Sequence, residues 1–196
     1  YVFFEDIKQI FLTMNEKNNQ LFIFYIIIAT IPAIFAGLLL KDHFLRIFDN
    51  VHLVGFALCS TGFLLVLSKK FKNNQKEIAF SSSIVVGIAQ AIAIIPGISR
   101  SGSTISICMY LGIPPKEAAR FSFLLSIPVI LGASILGFLE IESNNIFNNL
   151  TLTVAITTSF VTGVLALKIL LKILEAGRFY FFGFYCLIAG VSTIFI

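Results

Sequence analysis

Five long apolar runs, separated by short polar segments, set the pattern of this chain. They cover Leu21–Leu40, Leu53–Leu67, Phe121–Leu139, Leu150–Leu171 and Phe179–Ile196. A helix that crosses about 30 Å of hydrocarbon needs about 20 predominantly apolar residues. Four of the runs are close to this length and the second is shorter. The pattern therefore predicts an all-α polytopic membrane protein with about five complete transmembrane helices.

The composition supports a membrane location. Of the 196 residues, 58% are hydrophobic and only 12% are charged, whereas a soluble domain carries about 25% charged residues. A soluble fold with so few charges could not cover its own surface. The net charge of +4 reports orientation in a bilayer, so membrane lipids and no nucleic acid are the expected partners. The chain, 1–196, is predicted to be a single integral membrane domain.

A different pattern occupies Ile78–Ile113. Two apolar arms, Ile84–Ile95 and Ile105–Ile113, flank the polar segment Pro96–Thr104. Each arm has about a dozen residues, a length typical of segments that enter a bilayer and return by the same face. Irregular backbone at that depth is tolerated only where protein or a water-filled cavity surrounds it. We therefore predict that 78–113 is a re-entrant helical hairpin with an irregular tip.

The distribution of lysine and arginine supports the same hairpin. Segments 1–20, 68–77, 114–120 and 168–178 contain 2, 4, 2 and 3 of these residues, whereas 41–50 and 140–149 contain 2 and 0. Because cytoplasmic loops are enriched in Lys and Arg, the first set is predicted to face the cytoplasm and the second the outer side. Segments 68–77 and 114–120 then share one side, so the chain between them must enter and leave by one face.

The tip of this hairpin has the chemistry of an anion site. An arginine at membrane depth costs about 2.5–3.5 kcal/mol to insert and usually marks function. The planar guanidinium of Arg100 matches phosphate oxygens better than a lysine does. Glycines let the backbone approach a ligand closely, and a helix that resumes after the tip would present free N–H groups to an anion. The predicted phosphate ligands are Ser99, Arg100, Ser101, Gly102 and Thr104.

Other roles for these residues compete with the anion site. Glycine and serine also line close contacts between membrane helices, and an arginine can extend toward the headgroups. Packing explains the small residues but neither the Pro96-Gly97 pair nor an arginine between two serines, so the anion site is favoured. Two interpretations remain open for Gln90, which lies in the first arm. It either orients a phosphate or forms a hydrogen bond between helices.

The tip also resembles a known family. Residues 96–105 closely resemble the P-G-x-S-R-S-G-x-T-I signature of the bacitracin-resistance type of undecaprenyl-diphosphate phosphatase. Residues 87–90, 118–128 and 31–39 are similar to further motifs of that family. The resemblance covers essentially the whole chain, and the tip motif is specific enough to make a chance match improbable.

The resemblance implies an activity and an architecture. Family members remove the terminal phosphate of undecaprenyl diphosphate, which recycles the lipid carrier for peptidoglycan synthesis and confers bacitracin resistance. They are multi-pass proteins of the bacterial inner membrane with an inverted-repeat fold, in which two re-entrant hairpins meet and the site opens to the outer side. The resemblance makes 78–113 the second hairpin and Ser99, Arg100 and Ser101 the candidate catalytic residues. A homodimer is also among the expected assemblies.

One family motif has no counterpart here. The E-x-x-x-E-F-L-P-x-S-S-x-G-H segment is absent, and neither His43 nor His52 has its context. We therefore expect the chain to lack the N-terminal re-entrant hairpin and most of the following helix, and to be inactive alone. A divalent cation, Mg or Ca, would be held by the carboxylates of that hairpin. An odd number of cysteines, all inside apolar runs, predicts no metal site within this chain.

Two other functions fit the same pattern. Inverted repeats with broken helices are typical of secondary transporters, so a transporter or flippase for a phosphorylated polyprenyl lipid is the main alternative. A membrane scaffold without catalysis is the third reading. Release of phosphate would distinguish an enzyme from both a transporter and a scaffold.

Overall fold

The fold is known from a computed structural model that describes residues 2–13, 16–39, 50–70, 75–139 and 149–195. Within these ranges all regular structure is helical, which confirms the predicted class. The α-helices are α1 (Phe4–Leu12), α2 (Lys17–Leu39), α3 (Val51–Leu67), α4 (Phe80–Ile92), α5 (Arg100–Tyr110), α6 (Pro115–Leu139), α7 (Asn149–Glu175) and α8 (Tyr180–Ile194), and Ser68–Lys70 form a 3-10 turn.

Four helical segments have the length and composition of membrane spans. They are Lys17–Leu39, Val51–Lys70, Pro115–Leu139 and Leu150–Glu175, and they correspond to four of the five predicted spans. The fifth, Phe179–Ile196, is found as α8, an apolar helix of 15 residues. Its rise of about 22 Å is less than the hydrocarbon thickness of about 30 Å. The described residues therefore contain four spans of full length where about five were predicted.

Helices α3 and α8 lie antiparallel and in close contact along their length. A Cβ atom on Gly55 would lie 3.0 Å from the carbonyl oxygen of Gly190, and one on Gly62 would lie 2.8 Å from that of Gly183. Helices in lipid associate through close packing and not through the hydrophobic effect. Two glycines on each helix, one heptad apart, therefore determine this pairing.

Helices α4 and α5 are the two arms of a helical hairpin. Its open ends meet where the N–H of Lys76 donates to the carbonyl oxygen of Gly112 at 3.1 Å. The first arm packs on α2 at Gly87, where an added Cβ would lie 2.6 Å from the carbonyl oxygen of Ala29. The arms have 13 and 11 residues, so each is shorter than the about 20 residues of a membrane-spanning helix. The placement of 78–113 within a membrane stays a prediction.

The base of the hairpin gathers segments that were predicted to share one side. Residues 75–78 line one cavity together with the first turns of α2 and with Ile113, Pro114, Glu117 and Arg120. The ammonium group of Lys69 lies 5.3 Å from the ring centroid of Tyr180, so the start of α8 is also close to segment 68–77. The structure thus brings the basic segments to a common end of the helices. Segments 41–50 and 140–149, except for their last residues, lie outside the described part of the chain.

Candidate functional site

The tip of the hairpin, residues 93–99, runs against α3. Gly97 has a φ of +91°, in the left-handed region that favours glycine. A Cβ atom there would lie 2.5 Å from the carbonyl oxygen of Val54 and 2.9 Å from the Cβ of Ala57. The backbone conformation and the contact both exclude a side chain. Gly97 thus lets the tip approach the backbone of α3.

Thr61 of α3 holds the tip by two hydrogen bonds. Its Oγ1 donates to the carbonyl oxygen of Gly97 at 3.3 Å and accepts from the N–H of Ser99 at 3.1 Å. The side chain of Thr61 is only 2% exposed. A single buried hydroxyl therefore connects the last residues of the irregular segment to a membrane-span helix. Thr61 was not among the residues predicted from the sequence.

Helix α5 begins directly after the tip, as the anion-site prediction requires. Ser99 is its N-cap, and the Oγ of Ser99 accepts a hydrogen bond from the N–H of Gly102 at 3.1 Å. The N–H of Ser103 donates to the carbonyl oxygen of Ser99 at 2.8 Å. The N–H groups of Arg100 and Ser101 have no acceptor among the described residues. Free donors at the first turn of a helix favour binding of an anion.

Arg100 is half-buried and lies between α5 and α6. One of its terminal nitrogens, Nη2, lies 3.5 Å from the carbonyl oxygen of Ser126, which is at the outer limit of a hydrogen bond. A guanidinium has five N–H donors. The other donors of Arg100 have no acceptor within the described part of the chain. The guanidinium is thus positioned by α6 and keeps most of its donors for an anion.

Serines 99 and 101 keep their donors too. The hydroxyl of Ser99 accepts from the N–H of Gly102, which leaves its own O–H free to donate. The hydroxyl of Ser101 is half-buried and makes no hydrogen bond with the residues that the structure describes. The structure therefore brings Ser99, Arg100 and Ser101 together at the first turn of α5 with donors available.

Thr104 and Gly102 occupy structural positions in this conformation. Thr104 is fully buried, and its Oγ1 lies 2.9 Å from the carbonyl oxygen of Arg100 and 2.5 Å from the Oγ of Ser122 on α6. The N–H of Gly102 is occupied by the cap. These contacts support the first turn of α5 from behind. Both residues were predicted as phosphate ligands, and the structure gives each a partner within the protein.

Gln90 lies at the contact between α4 and α2. Its Nε2 is 3.5 Å from the carbonyl oxygen of Ala29, and the residue is only 1% exposed. Its Oε1 is buried and has no hydrogen-bond partner among the described residues. This geometry agrees with a hydrogen bond between helices in the observed conformation. A contact of Gln90 with phosphate stays a prediction.

Comparison with known proteins identifies the family. A family model described as bacitracin resistance protein BacA matches residues 1–192 of this chain. The chain belongs to the BacA family. Its tip motif and its hairpin are therefore features of a BacA protein, and the resemblance read from residues 96–105 is confirmed.

Individual relatives agree with this assignment. The chain is 40% identical over 198 residues to an undecaprenyl-diphosphatase of Halothermothrix orenii, covering 98% of this chain and 76% of the relative. It is 39% identical over 184 residues to undecaprenyl-diphosphatase 1 of Bacillus cereus, covering 92% and 68%. It is 40% identical over 175 residues to an undecaprenyl-diphosphatase of Methanothermobacter thermautotrophicus, covering 86% of this chain and 97% of that relative.

Metal ligands and histidines are not part of the described site. Within the described residues, no three His, Cys, Asp or Glu side chains form a group that could hold a metal ion. His43 lies outside these residues. The Nδ1 of His52 lies 3.1 Å from the carbonyl oxygen of Ile194, at the contact between α3 and α8. This BacA site is therefore built from an arginine, serines and backbone donors.

Proposed function

We propose that this BacA protein hydrolyses undecaprenyl diphosphate to undecaprenyl phosphate and inorganic phosphate. Membership of the family and the name shared by its relatives support this activity. The single observation that carries it is the tip: a half-buried arginine between two serines, at the first turn of a helix with free N–H donors. These donors suit a lipid diphosphate, because the surrounding helices are long and apolar enough to cross a membrane.

The tip contributes electrostatic stabilisation. Negative charge on the phosphate oxygens is redistributed while the terminal phosphoryl group moves to water, and positioned donors stabilise that charge. The guanidinium of Arg100 binds two oxygens at once, and the hydroxyls of Ser99 and Ser101 donate to further oxygens. Because Ser99 is held by both Thr61 and Gly102, these donors are oriented before the substrate binds.

The attacking water requires a base from outside the hairpin. Activation of a nucleophile needs a proton acceptor within hydrogen-bond reach. The stretch 78–113 contains no His, Asp or Glu. We therefore assign the base to a residue outside 78–113. A divalent cation, Mg or Ca, would need ligands from outside the described residues. Among the described residues, no three His, Cys, Asp or Glu side chains lie close enough together to hold a metal ion.

The basic segments support an orientation of the protein in the membrane. The tip lies at one end of the hairpin, and the two arms meet at the other end. The segments rich in lysine and arginine gather at the end where the arms meet. With these segments in the cytoplasm, the site opens toward the outer side of the bacterial inner membrane. A homodimer stays a prediction. A transporter or flippase for the same lipid is not favoured, because the relatives carry the name of a phosphatase.

The test of this proposal is Arg100→Lys. Lysine keeps the charge but cannot bind two phosphate oxygens with a planar fork, so we expect kcat for undecaprenyl diphosphate to fall by about 100-fold or more. Arg120→Lys is the control, because Arg120 lies 5.2 Å from the ring centroid of Phe22 and 3.5 Å from Glu117, at the base of the hairpin. We expect it to retain turnover within a few-fold. Both variants are measured in the full-length protein, because the chain alone is expected to be inactive. Equal losses would refute the assignment of Arg100, and absence of phosphate release from the full-length wild type would refute the function.

A further inference from the structure

An apolar groove lies beside the hairpin tip, between the tip and the first turns of α3. Its volume is about 470 Å³, and its walls are Val51, Val54 and residues 93–98. Ligand pockets usually occupy about 300–1,000 Å³. Every side chain in these walls is apolar. The groove is thus large enough for a ligand and suits hydrocarbon.

The groove adjoins the proposed anion-binding residues along the chain. Ile98 is the last residue of its wall, and Ser99, the N-cap of α5, follows directly. Consecutive Cα atoms are about 3.8 Å apart, so Arg100 lies within about two residues of the groove. The chain attached to a diphosphate bound at Ser99 and Arg100 would therefore begin close enough to reach this apolar wall.

Affinity alone does not explain an apolar groove in such a protein. Hydrocarbon gains little by moving from lipid tails to apolar side chains, because the two environments are equally apolar. What a groove supplies is orientation, since a chain held beside the reacting group places that group for attack. The wall is also rigid, because Gly97 packs directly on Val54 and Ala57. A rigid wall next to the phosphate site is suited to fix the direction in which the lipid chain leaves it.

We infer that this groove binds the isoprene units nearest the diphosphate and thereby orients the phosphates at Arg100. The inference rests on the proposed function, since it assumes that the substrate is a polyprenyl diphosphate. It assigns to Val51 and Val54 a positioning role, with no contact to the reacting atoms. It also explains why residues 93–98 are apolar up to the residue before Ser99.

The experiment compares two matched valines in the full chain. Val51 lines the groove and is 50% exposed, whereas Val191 of α8 is 47% exposed and lies outside it. We expect Val51→Trp to fill the groove and to lower kcat/KM for undecaprenyl diphosphate roughly tenfold, mainly through kcat, because the groove orients the lipid. The kcat/KM of Val191→Trp should stay within about twofold of the wild type, because Val191 is exposed on α8 and lies outside the groove. Equal effects of the two variants, or no effect of Val51→Trp, would overturn the inference.

A second measurement does not depend on how a tryptophan is tolerated. Benzophenone-bearing phenylalanine placed at the position of Val51 or of Val191 is irradiated with radiolabelled undecaprenyl diphosphate in vesicles. We expect labelling at the first position only, and competition by unlabelled substrate. Equal labelling at both positions would mean contact with bulk lipid and would overturn the groove. Failure of the proposed function is recognised separately, as a wild-type protein that binds the lipid here but releases no phosphate.

Discussion

Replacing Thr61 by valine tests whether α3 holds the hairpin tip, the proposed phosphate site, in place. Valine keeps the shape of threonine but removes the hydroxyl, so the N–H of Ser99 and the carbonyl of Gly97 each lose a partner. A buried polar group without a partner costs about 1–3 kcal/mol. Because the bond to Gly97 is long, at 3.3 Å, we expect a total loss of about 2–4 kcal/mol in the free energy of unfolding.

The same change should reduce turnover more than binding. Without Thr61 the tip is free to move away from α3, and Arg100 moves with it. A displacement of about 1 Å in a catalytic group can cost about 100-fold in rate. We expect kcat for undecaprenyl diphosphate to fall between about tenfold and 100-fold, with a smaller change in KM. Phosphate release in detergent micelles and the midpoint of a denaturant titration measure the two effects.

Two variants show whether the hydroxyl is responsible. Thr61→Ser keeps both hydrogen bonds and loses only a methyl group, so it should restore most of the rate and most of the stability. Thr158→Val removes a hydroxyl that donates only within its own helix, to the carbonyl oxygens of Val154 and Ala155, and should change neither quantity. The reasoning fails if Thr61→Val matches the wild type. It also fails if serine is as damaging as valine, because packing of the methyl group would then explain the loss.

Two further pairs of variants test the helix packing and the serine next to Arg100. Gly62→Ala would place a Cβ 2.8 Å from the carbonyl oxygen of Gly183 and should lower the free energy of unfolding by about 1–3 kcal/mol. A Cβ added at Gly163 would have no atom within 4 Å, so Gly163→Ala should be neutral or stabilise the protein by up to about 1 kcal/mol. Ser101→Ala removes a hydroxyl donor and should lower kcat about 100-fold. Ser60→Ala, whose hydroxyl donates to its own helix at Phe56, should leave kcat unchanged. Equal results within either pair would contradict the corresponding assignment.

The four membrane-span helices α2, α3, α6 and α7 could be predicted from the sequence because each contains a long apolar run. Helix α1, which is short and contains several polar residues, was not predicted. The ends of the span helices were less predictable. Helix α2 begins at Lys17 and not at Leu21, since polar residues can continue a helix beyond its apolar part. Helix α6 begins at Pro115 and not at Phe121, because proline is favoured in the first turn of a helix, where its missing N–H is not needed.

The chemistry of the tip could be predicted because it is local. Arg100, Ser99 and Ser101 are consecutive residues, and the N-cap of α5 needs only Ser99 and the first turn that follows it. The residues that hold the tip come from distant parts of the chain. Thr61 reads in the sequence as one hydroxyl in an apolar span, and only its contact with Gly97 and Ser99 gives it a role. The burial of Thr104 against Ser122 likewise depends on the packing of α5 against α6.

The small residues behind the tip connect this packing to the chemistry. Close approach at Gly87 holds α4 against Ala29 of α2, and close approach at Gly97 holds the tip against α3. Charge stabilisation is effective when the donors are oriented in advance, so that no energy is spent on reorganising them during the reaction. In lipid, the hydrophobic effect between helices supplies little force for such positioning, and close packing with buried hydrogen bonds must provide it. The glycines that face α2 and α3, together with Thr61, therefore belong to the proposed catalytic arrangement, although none of them is proposed to touch the phosphates.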